Sequence, residues 1–404
     1  MIQKGPRVSM DADLIVIGNG VVGLSTAIAC RHRDPDLRVI LVGPTDRRGA
    51  ATPAAAAMLA AASEARPTTF EETAATAWIE LLAAAVGSWP DWVRKIAERS
   101  GVPSGLVPEI TRGMVVVGDE VDAGFDAIHD AATRLGVAMT SVDPTEVDLL
   151  RRDEPRRCLR LEDEGGVDPL ALLRLLDACA VSSGITRLDA RVRRAEPGRV
   201  SLENGKTLRA RNVLIASGSG CRRILNPDSP ASFTVPVIRF SHGVGLRGRF
   251  HPRSGGSMPV IRTPNRPDGG NIYLVPHGGG GRYLGASTSL EDEARYEPTE
   301  HEISMVRLAA DRYLTSDRLF ASFVPVIGSR PATEDGLPVM GMIEEGLWIA
   351  TGTDRDGLSA APELSSILAN ALVAGSDRIH PGFKPSHART MAMSGMHHDP
   401  SRGI

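Results

Sequence analysis

The sequence predicts an α/β protein in which a parallel, helix-covered sheet is interleaved along the chain with an antiparallel sheet. Three observations support this fold class. A short β-branched strand runs into a glycine turn and a helix at Asp13–Leu24, a turn-rich alternating pattern fills Val235–Ser289, and a strand, a loop and a helix follow one another over Leu347–Val373. Strands that alternate with helices favour a parallel sheet, whereas consecutive alternating strands favour an antiparallel one.

The glycine turn predicts a dinucleotide-binding site of the Rossmann type. Gly18, Gly20 and Gly23 stand in G-x-G-x-x-G spacing. The first allows a sharp turn, the second lets the backbone approach a pyrophosphate, and the third lets helix and strand pack closely. The following helix would direct its free N–H groups and positive dipole end at that phosphate. The alternative is a tight strand–helix turn that binds no ligand.

The second strand of this unit, Arg38–Val42, lacks the acidic residue that usually follows it. A dinucleotide site normally carries an acid about 20 residues after the glycines, where it hydrogen-bonds the ribose. This chain has Gly43 there. Either Asp46 or a backbone group takes the ribose contact, or the cofactor is held less tightly. Since Arg47 and Arg48 could meet a 2′-phosphate, the glycine motif alone does not choose between cofactors.

The next third of the chain continues the alternation. The alanine-rich segment Ala51–Leu59 either lets the backbone lie against a flat or bulky group or simply begins a helix, and a long helix is expected over Phe70–Ser100. Further elements are expected in this order: strand Met114–Val117, helix Gly124–Leu135, strand Val137–Thr140, a helix to Ala180 with Asp168 as N-cap and Pro169 as first residue, strands Arg187–Arg194 and Val200–Leu202 around an Asn204-Gly205 turn, and strand Asn212–Gly218.

The last third is rich in turns. Ile272–Val275 and Tyr283–Gly285 should pair as an antiparallel hairpin across the glycine loop between them, and another turn is expected at Pro267–Gly270. Helix Glu297–Leu314, strand Leu347–Ala350, loop Gly352–Gly357 and helix Pro362–Val373 follow. The tail, residues 386–404, is polar and without periodicity, which predicts disorder.

Composition bounds the classes of function. The 404 residues can form one large domain or two intimately joined domains. The net charge is −3 and charges of both signs are interspersed, so the sequence does not indicate the basic surface that nucleic-acid binding requires. The four cysteines, Cys30, Cys158, Cys179 and Cys221, lack C-x-x-C spacing, so no disulfide framework or metal site is indicated and a cytoplasmic location fits. The start of the chain does not resemble a signal peptide, and no membrane association is expected. A homo-oligomer is compatible with the sequence.

Six segments, in their order along the chain, resemble the D-amino-acid oxidase and glycine oxidase family of flavoproteins. They are the glycine motif, Ala51–Leu59, Val213–Gly218, Ile272–Pro276, Ser329–Gly341 and Ala350–Gly357. The Arg-Pro-x-x-x-Asp-Gly-x-Pro pattern that begins at Arg330 is the most specific of them. The resemblance covers roughly residues 11–385 and implies FAD, rather than a nicotinamide, as the cofactor. It also implies a discontinuous FAD-binding domain (11–80, 150–232 and 325–380) interleaved with a substrate domain (81–149 and 233–324).

The resemblance implies a reaction as well as a cofactor. Enzymes of this family transfer a hydride from the α-carbon of an uncharged amine to flavin N5, giving an imine that water hydrolyses, and dioxygen usually reoxidises the flavin to release hydrogen peroxide. The expected function is therefore that of an FAD-dependent oxidase of a small amino acid or N-alkylated amino acid. Such a step needs positioning more than acid–base groups. The alternatives are a flavin dehydrogenase with another electron acceptor and a degenerate flavin-binding partner protein.

Three residues are candidates for catalytic roles, and two of them match positions of the family. Arg330 matches the arginine that binds the substrate carboxylate in this family. A planar fork of donors suits that role, since it can hold two oxygens at once. The alternative is a structural arginine paired with Glu334 or Asp335. Tyr273 matches an active-site tyrosine and could otherwise be a core residue. Arg355 is the third candidate and lies in the loop before the final helix.

The resemblance also implies the residues that contact the cofactor. Backbone N–H groups of Asp356, Gly357 and Leu358 are expected to face the flavin pyrimidine ring, where a helix N-terminus stabilises negative charge. Because no cysteine follows Cys221, a thioether link has no candidate in the C-terminal half, and FAD is expected to be non-covalent. The full set of candidate cofactor-binding residues is Gly18, Gly20, Val22, Gly23, Asp46, Ala51, Thr52, Ala57, Met58, Val192, Ala216, Gly218, Gly352, Arg355, Asp356, Gly357 and Leu358.

Overall fold

The computed structural model describes residues 10–225, 233–250, 258–266, 271–315, 320 and 322–386. Within these ranges the helices are α1 Val21–Arg33, α2 Ala51–Ala54, α3 Thr73–Ser100, α4 Ala123–Leu135, α5 Pro169–Ser182, α6 Cys221–Ile224, α7 Glu300–Tyr313 and α8 Ala361–Ala374. None of them combines the length and the apolar character needed to cross a membrane. The expected Pro267–Gly270 turn and nearly all of the polar tail lie outside the described residues.

The strands form two sheets within the same ranges. The first contains β1 Ala12–Ile17, β2 Val39–Val42, β7 Thr186–Leu188, β8 Val192–Glu196, β9 Arg199–Leu202, β10 Thr207–Ile215, β17 Val339–Glu344 and β18 Leu347–Thr351. The second contains β3 Met58–Leu59, β4 Ile110–Asp119, β5 Met139–Val142, β6 Arg156–Val167, β11 Arg239–Arg249, β12 Val260–Arg262, β13 Tyr273–His277, β14 Gly281–Gly285, β15 Ser289–Glu291 and β16 Val324–Ala332.

The first sheet is the predicted parallel sheet. β1 lies at its centre, parallel to β2 on one side and to β10 on the other, and the order β7-β2-β1-β10-β18-β17 ends in an antiparallel edge strand. Alternate residues of β1 point to opposite faces. Leu14 and Val16 pack in the core formed with α1, α3, α5 and α8, whereas Ile15 and Ile17 pack toward the β8–β9 hairpin. Both faces of β1 are therefore covered, as its continuous apolar sequence requires.

The second sheet is mostly antiparallel and confirms the predicted hairpin. β13 and β14 pair with Tyr273 opposite Gly285 and Val275 opposite Tyr283. β11 pairs with β16 along nine residue positions, which places Ser241 opposite Arg330. Together the two sheets confirm an α/β fold with a Rossmann-type domain and an antiparallel substrate-side sheet.

Two local expectations differ from the observed structure. The predicted strand Arg187–Arg194 is divided between β7, which joins the parallel sheet, and β8, which starts a hairpin. The break follows from Asp189, whose carboxylate accepts hydrogen bonds from the backbone N–H and the hydroxyl of Thr45 at 3.0 and 2.9 Å.

The Ala51–Leu59 segment does not begin a long helix, because α2 ends after four residues and the chain becomes extended at Ala55.

The expected domain limits do not coincide with the division of the chain between the two sheets. The expected limit at residues 80 and 81 falls inside α3, whose buried side chains from Trp78 to Ala97 mostly pack into the core of the first sheet. Residues 156–167 and 325–332, expected in the FAD-binding domain, belong to the second sheet as β6 and most of β16. The chain therefore passes between the two sheets at positions other than the expected domain limits.

Candidate cofactor and substrate site

A cavity of about 540 Å³ opens where β1, β2 and β10 end. Its walls come from the glycine turn after β1, the small-residue segment 49–58, the end of β10, the Arg330 region of β16, and the loop 353–359. A crevice at the carboxyl ends of parallel strands is the usual ligand site in this kind of sheet. The cavity extends from there to the second sheet, so both sheets contribute to one site.

The glycine turn has three glycines with different physical roles. Gly18 has a φ of +114°, and a Cβ there would lie 2.2 Å from the Ala216 carbonyl oxygen. A Cβ at Gly23 would lie 1.9 Å from the Gly18 carbonyl oxygen, so both positions are required by the fold itself. A Cβ at Gly20 would meet only the Thr52 hydroxyl, at 3.2 Å, and Gly20 lines the cavity. Gly20 therefore keeps space open in the cavity rather than in the protein core.

The first turn of α1 is suited to a phosphate. The N-cap residue, Gly20, has no side chain to cap the helix, and no acidic residue stands in the first turn, so no negative charge neutralises the positive dipole end there. The Val21 N–H donates to the Thr52 hydroxyl at 3.2 Å, which ties α1 to the small-residue segment. These features fit the pyrophosphate of a dinucleotide at the turn.

The loop before α8 presents backbone donors to the cavity. The N–H groups of Gly357 and Leu358 donate to no other described residue, and both residues line the cavity. The Asp356 N–H, which we expected to face the flavin as well, donates instead to the Thr353 carbonyl at 2.8 Å. This expectation is corrected for Asp356, because its N–H already closes the turn that shapes the loop.

Arg330 lines the end of the cavity formed by the second sheet. Its guanidinium lies across Gly243, where a Cβ would be 1.9 Å from Nη2, and Nη1 donates to the Thr288 hydroxyl at 3.3 Å. Among the described residues, no carboxylate oxygen lies within 4.0 Å of the guanidinium nitrogens of Arg330. The positive charge of Arg330 is thus available to a group in the cavity.

Two tyrosines form the wall beside Arg330. The rings of Tyr273 and Tyr283 are stacked with centroids 6.2 Å apart and an interplanar angle of 9°, and both line the cavity. Burial raises the pKa of Tyr283, so its hydroxyl stays protonated. Sequence reasoning missed Tyr283. The hairpin register could have found it, because Val275 lies opposite Tyr283 and two residues from Tyr273, which puts the two tyrosines on one face.

Arg355 also lines the cavity, but other side chains share its charge. Its Nη1 donates to Asn265 Oδ1 at 2.8 Å, and Asn265 Nδ2 donates to Glu64 at 2.9 Å. Glu64 also accepts from Arg262 at 2.6 Å. Burial alone would raise the pKa of Glu64, but Arg262 and Arg355 hold it at about 2. Of Arg330 and Arg355, Arg330 is therefore the better anchor for an external carboxylate.

The remaining sequence-predicted residues divide into two groups. Those that line the cavity are Gly18, Gly20, Val22, Ala51, Thr52, Ala57, Met58, Val192, Ala216, Gly218, Arg355, Asp356, Gly357 and Leu358, together with Tyr273 and Arg330. Gly23, Asp46 and Gly352 do not. A Cβ at residue 352 would lie 2.9 Å from Thr333 Cγ2, so close packing requires the glycine there. The Asp46 side chain is 61% exposed, and its carboxylate lies 3.8 Å from the Arg191 guanidinium.

Asp356 gives the site a testable dependence on pH. Its half-buried carboxylate accepts a hydrogen bond from Trp78 Nε1 at 3.2 Å. Burial, with a further contribution from Glu64, raises the pKa of Asp356 from 3.8 to about 7. A raised folded-state pKa stabilises the fold fully below the unfolded value, and that contribution is lost as pH rises through the folded value. We therefore expect wild-type stability to fall, relative to Asp356→Asn, as pH rises from 3.8 to about 7.

The measurement is urea denaturation of the FAD-free protein at a series of pH values, for the wild type and for Asp356→Asn. Most titrating groups behave alike in both proteins, so the difference between the two curves reports Asp356 together with its interaction with Glu64. Curves that stay parallel over this range would show that Asp356 has no raised pKa in the folded protein.

Comparison with known proteins gives consistent results. The family described as FAD dependent oxidoreductase (DAO) matches residues 13–371. The chain is 25% identical over 380 residues to the glycine oxidase of Geobacillus kaustophilus (strain HTA426), covering 89% of this chain and 92% of that protein. It is 27% identical over 377 residues to the bifunctional protein ThiO/ThiG of Nostoc sp. (strain PCC 7120 / SAG 25.82 / UTEX 2576), of which it spans 53%. The crystal structure of glycine oxidase from Bacillus cereus ATCC 14579 has the same fold, with a TM-score of 0.74 at 20% identity, covering 92% of this chain and 99% of that chain.

Proposed function

We propose, from the premise that this chain belongs to the DAO family of FAD-dependent oxidoreductases, that it oxidises small amino acids or N-alkylated amino acids with dioxygen as the electron acceptor. Family membership confirms FAD as the cofactor and the chain as an FAD-dependent amino-acid oxidoreductase of the glycine oxidase type. The substrate class and the electron acceptor are the parts proposed here.

The cavity fits FAD in its chemistry. Gly20 and the start of α1, which carries no acidic residue, would hold the pyrophosphate, and the N–H groups of Gly357 and Leu358 would donate to the flavin ring. When bound, FAD supplies the acceptor for the two electrons and the hydrogen of a substrate C–H bond. The protein's own contribution is then to hold the substrate in one orientation and to exclude water from the reacting centre.

The single observation that carries the substrate class is the guanidinium of Arg330. It is half-buried, it lines the cavity, and no carboxylate of the described residues neutralises it. An arginine fork can bind both oxygens of a carboxylate through two parallel N–H···O bonds, which fixes the adjacent α-carbon as well as the charge. Thr288 and the flat surface at Gly243 hold the fork in place. An amine that carries a carboxylate on its α-carbon satisfies this arrangement.

The wall beside Arg330 supports a small substrate. Tyr273, Tyr283 and Phe240 place three aromatic rings around this end of the cavity. Bulky rings leave little room for a long side chain, and the protonated hydroxyl of Tyr283 can donate a further hydrogen bond. Glycine, sarcosine, alanine and proline are therefore the first compounds to test.

The experiment adds these compounds to the purified holoprotein and follows flavin absorbance without oxygen and hydrogen peroxide in air. We expect an amino carboxylate to bleach the flavin and to release peroxide in proportion to the substrate consumed. Bleaching with almost no peroxide, relieved by an artificial electron carrier, would favour a dehydrogenase. A flavin that no amine bleaches would favour a degenerate binding protein, and one bleached only by amines without a carboxylate would contradict the role of Arg330.

We also expect FAD to be released by acid. All four cysteines are buried, and no cysteine or histidine of the described residues lines the cavity. Burial raises the pKa of Cys221 to about 11 and that of Cys30 to about 12, so neither thiol is a ready nucleophile. Precipitation with trichloroacetic acid should leave the yellow colour in the supernatant. A yellow pellet after washing would show a covalent link.

A further inference from the structure

Asn19, the residue between the first two glycines of the motif, fills the space that a side chain at residue 43 would need. A Cβ built on Gly43 would lie 2.7 Å from Asn19 Cγ and 2.9 Å from Asn19 Oδ1. Residue 43 follows β2 directly, where a dinucleotide-binding unit normally carries the acid that hydrogen-bonds the ribose. A side chain at residue 43 would therefore displace the Asn19 amide from its present position, so the glycine at 43 is what allows Asn19 to lie there.

The amide of Asn19 is held in one orientation. Its Nδ2 donates to the Pro44 carbonyl at 2.8 Å, and a carbonyl can only accept, so the amide nitrogen must face Pro44. The backbone carbonyl of Asn19 accepts from Arg47 Nε at 3.0 Å, and Arg47 forms two further bonds to Asp177, at 2.9 and 2.6 Å. Asn19 Oδ1 accepts no hydrogen bond from another described residue, and Asn19 lines the cavity. A fixed acceptor is thus left at the end of β2.

The acidic residues nearby are less suited to this contact. Asp46 is mostly exposed and lies 3.8 Å from Arg191, and Asp189 accepts two hydrogen bonds from Thr45. Glu203 lines the cavity but is exposed to solvent, where a carboxylate gains little from a hydroxyl donor. Arg47, which the sequence offered as a partner for a 2′-phosphate, is instead bound to Asp177.

We propose that Asn19 replaces the missing acid and binds the adenosine ribose of FAD, with Oδ1 accepting a hydrogen bond from a ribose hydroxyl. The glycine turn then supplies both the pyrophosphate contact and the ribose contact, and Gly43 is required because it leaves room for Asn19. The proposal rests on FAD as the cofactor and not on the substrate, so a different substrate class would leave it intact.

The test measures the dissociation constant of FAD for the apoprotein, in the absence of substrate, from the quenching of flavin fluorescence. We expect Asn19→Gly and Asn19→Ala to weaken FAD binding by roughly threefold to tenfold, as for the loss of one buried hydrogen bond. The exchange variant Asn19→Gly/Gly43→Glu moves the acceptor back to the end of β2, and it should regain most of the affinity that Asn19→Gly loses. Circular dichroism of each apoprotein verifies that the fold is kept.

The matched controls are Asp46→Asn and Glu203→Gln, which should each leave the dissociation constant unchanged. Unchanged FAD affinity in Asn19→Ala would overturn the proposal, and so would a loss confined to Asp46→Asn or Glu203→Gln. A folded exchange variant that binds as weakly as Asn19→Gly would show that Asn19 serves only to tie the turn to Pro44, which would also overturn it.

Discussion

Arg330→Leu is expected to lower kcat/KM for an amino-carboxylate substrate by roughly tenfold to a hundredfold or more. The substitution removes a charge-assisted contact worth about 1.5–3 kcal/mol, and each 1.4 kcal/mol corresponds to about a factor of ten. It also leaves the substrate carboxylate facing an apolar group. Flavin content should stay normal, because we assign Arg330 to the substrate and not to FAD. Steady-state kinetics and the ratio of flavin to protein absorbance measure the two quantities.

Two further variants make this prediction specific. Arg330→Lys should recover only part of the activity, since a point charge cannot reproduce two parallel bonds. Arg239→Leu is the matched control, because Arg239 belongs to the neighbouring strand β11 and pairs with the exposed Asp292. Unchanged activity in Arg330→Leu would indicate another anchor such as Arg355. Loss of flavin together with activity would indicate a structural role.

Gly20→Val should abolish the retention of FAD while leaving the fold intact. A Cβ at Gly20 meets only the Thr52 hydroxyl, at 3.2 Å, and the φ of Gly20 is −75°, which any residue can adopt. The branched side chain would instead occupy the space that the pyrophosphate needs. Flavin absorbance after gel filtration should therefore vanish, whereas the circular dichroism spectrum should match that of the wild-type apoprotein.

Other glycines provide the contrast for this variant. Gly18→Ala and Gly23→Ala should lose the fold itself, because each new Cβ would lie within about 2.2 Å of a backbone oxygen. Gly87→Val, on the exposed face of α3 with no atom near its Cβ, should keep both fold and FAD. Normal flavin content in Gly20→Val would mean that the pyrophosphate does not lie at this turn.

Features that depend on neighbouring residues were predictable from the sequence. The glycine turn, the Asp168–Pro169 helix start and the Tyr273 hairpin were predicted and are observed. In each case the residues that determine the local structure lie within a few positions of one another. They are the glycines that lack a Cβ, the N-cap aspartate followed by a proline, and two strands of alternating pattern on either side of a glycine loop. The role of Arg330 as a carboxylate anchor stays a prediction, although the structure places this residue in the cavity.

Features that depend on distant residues were not predictable. Glu64 meets Arg262 and Asn265 across about 200 positions, so no local pattern could identify this network. The collision between Asn19 and a side chain at residue 43 likewise requires the two turns to be superposed in space. The Asp356 N–H was assigned to the flavin because a loop sequence does not specify which of its N–H groups close the turn.

The strand order of the first sheet has a consequence for how the protein matures during synthesis. β1 is completed by β10, about 200 residues later, and β10 by β18, which ends at Thr351. Such distant pairings are slow to form and expose apolar edges until their partners emerge. A nascent chain cannot build the cavity before the ribosome has passed the loop that contains Gly357. Capture of FAD therefore reports that synthesis has passed this loop, and free FAD would stabilise chains that contain it but not shorter precursors.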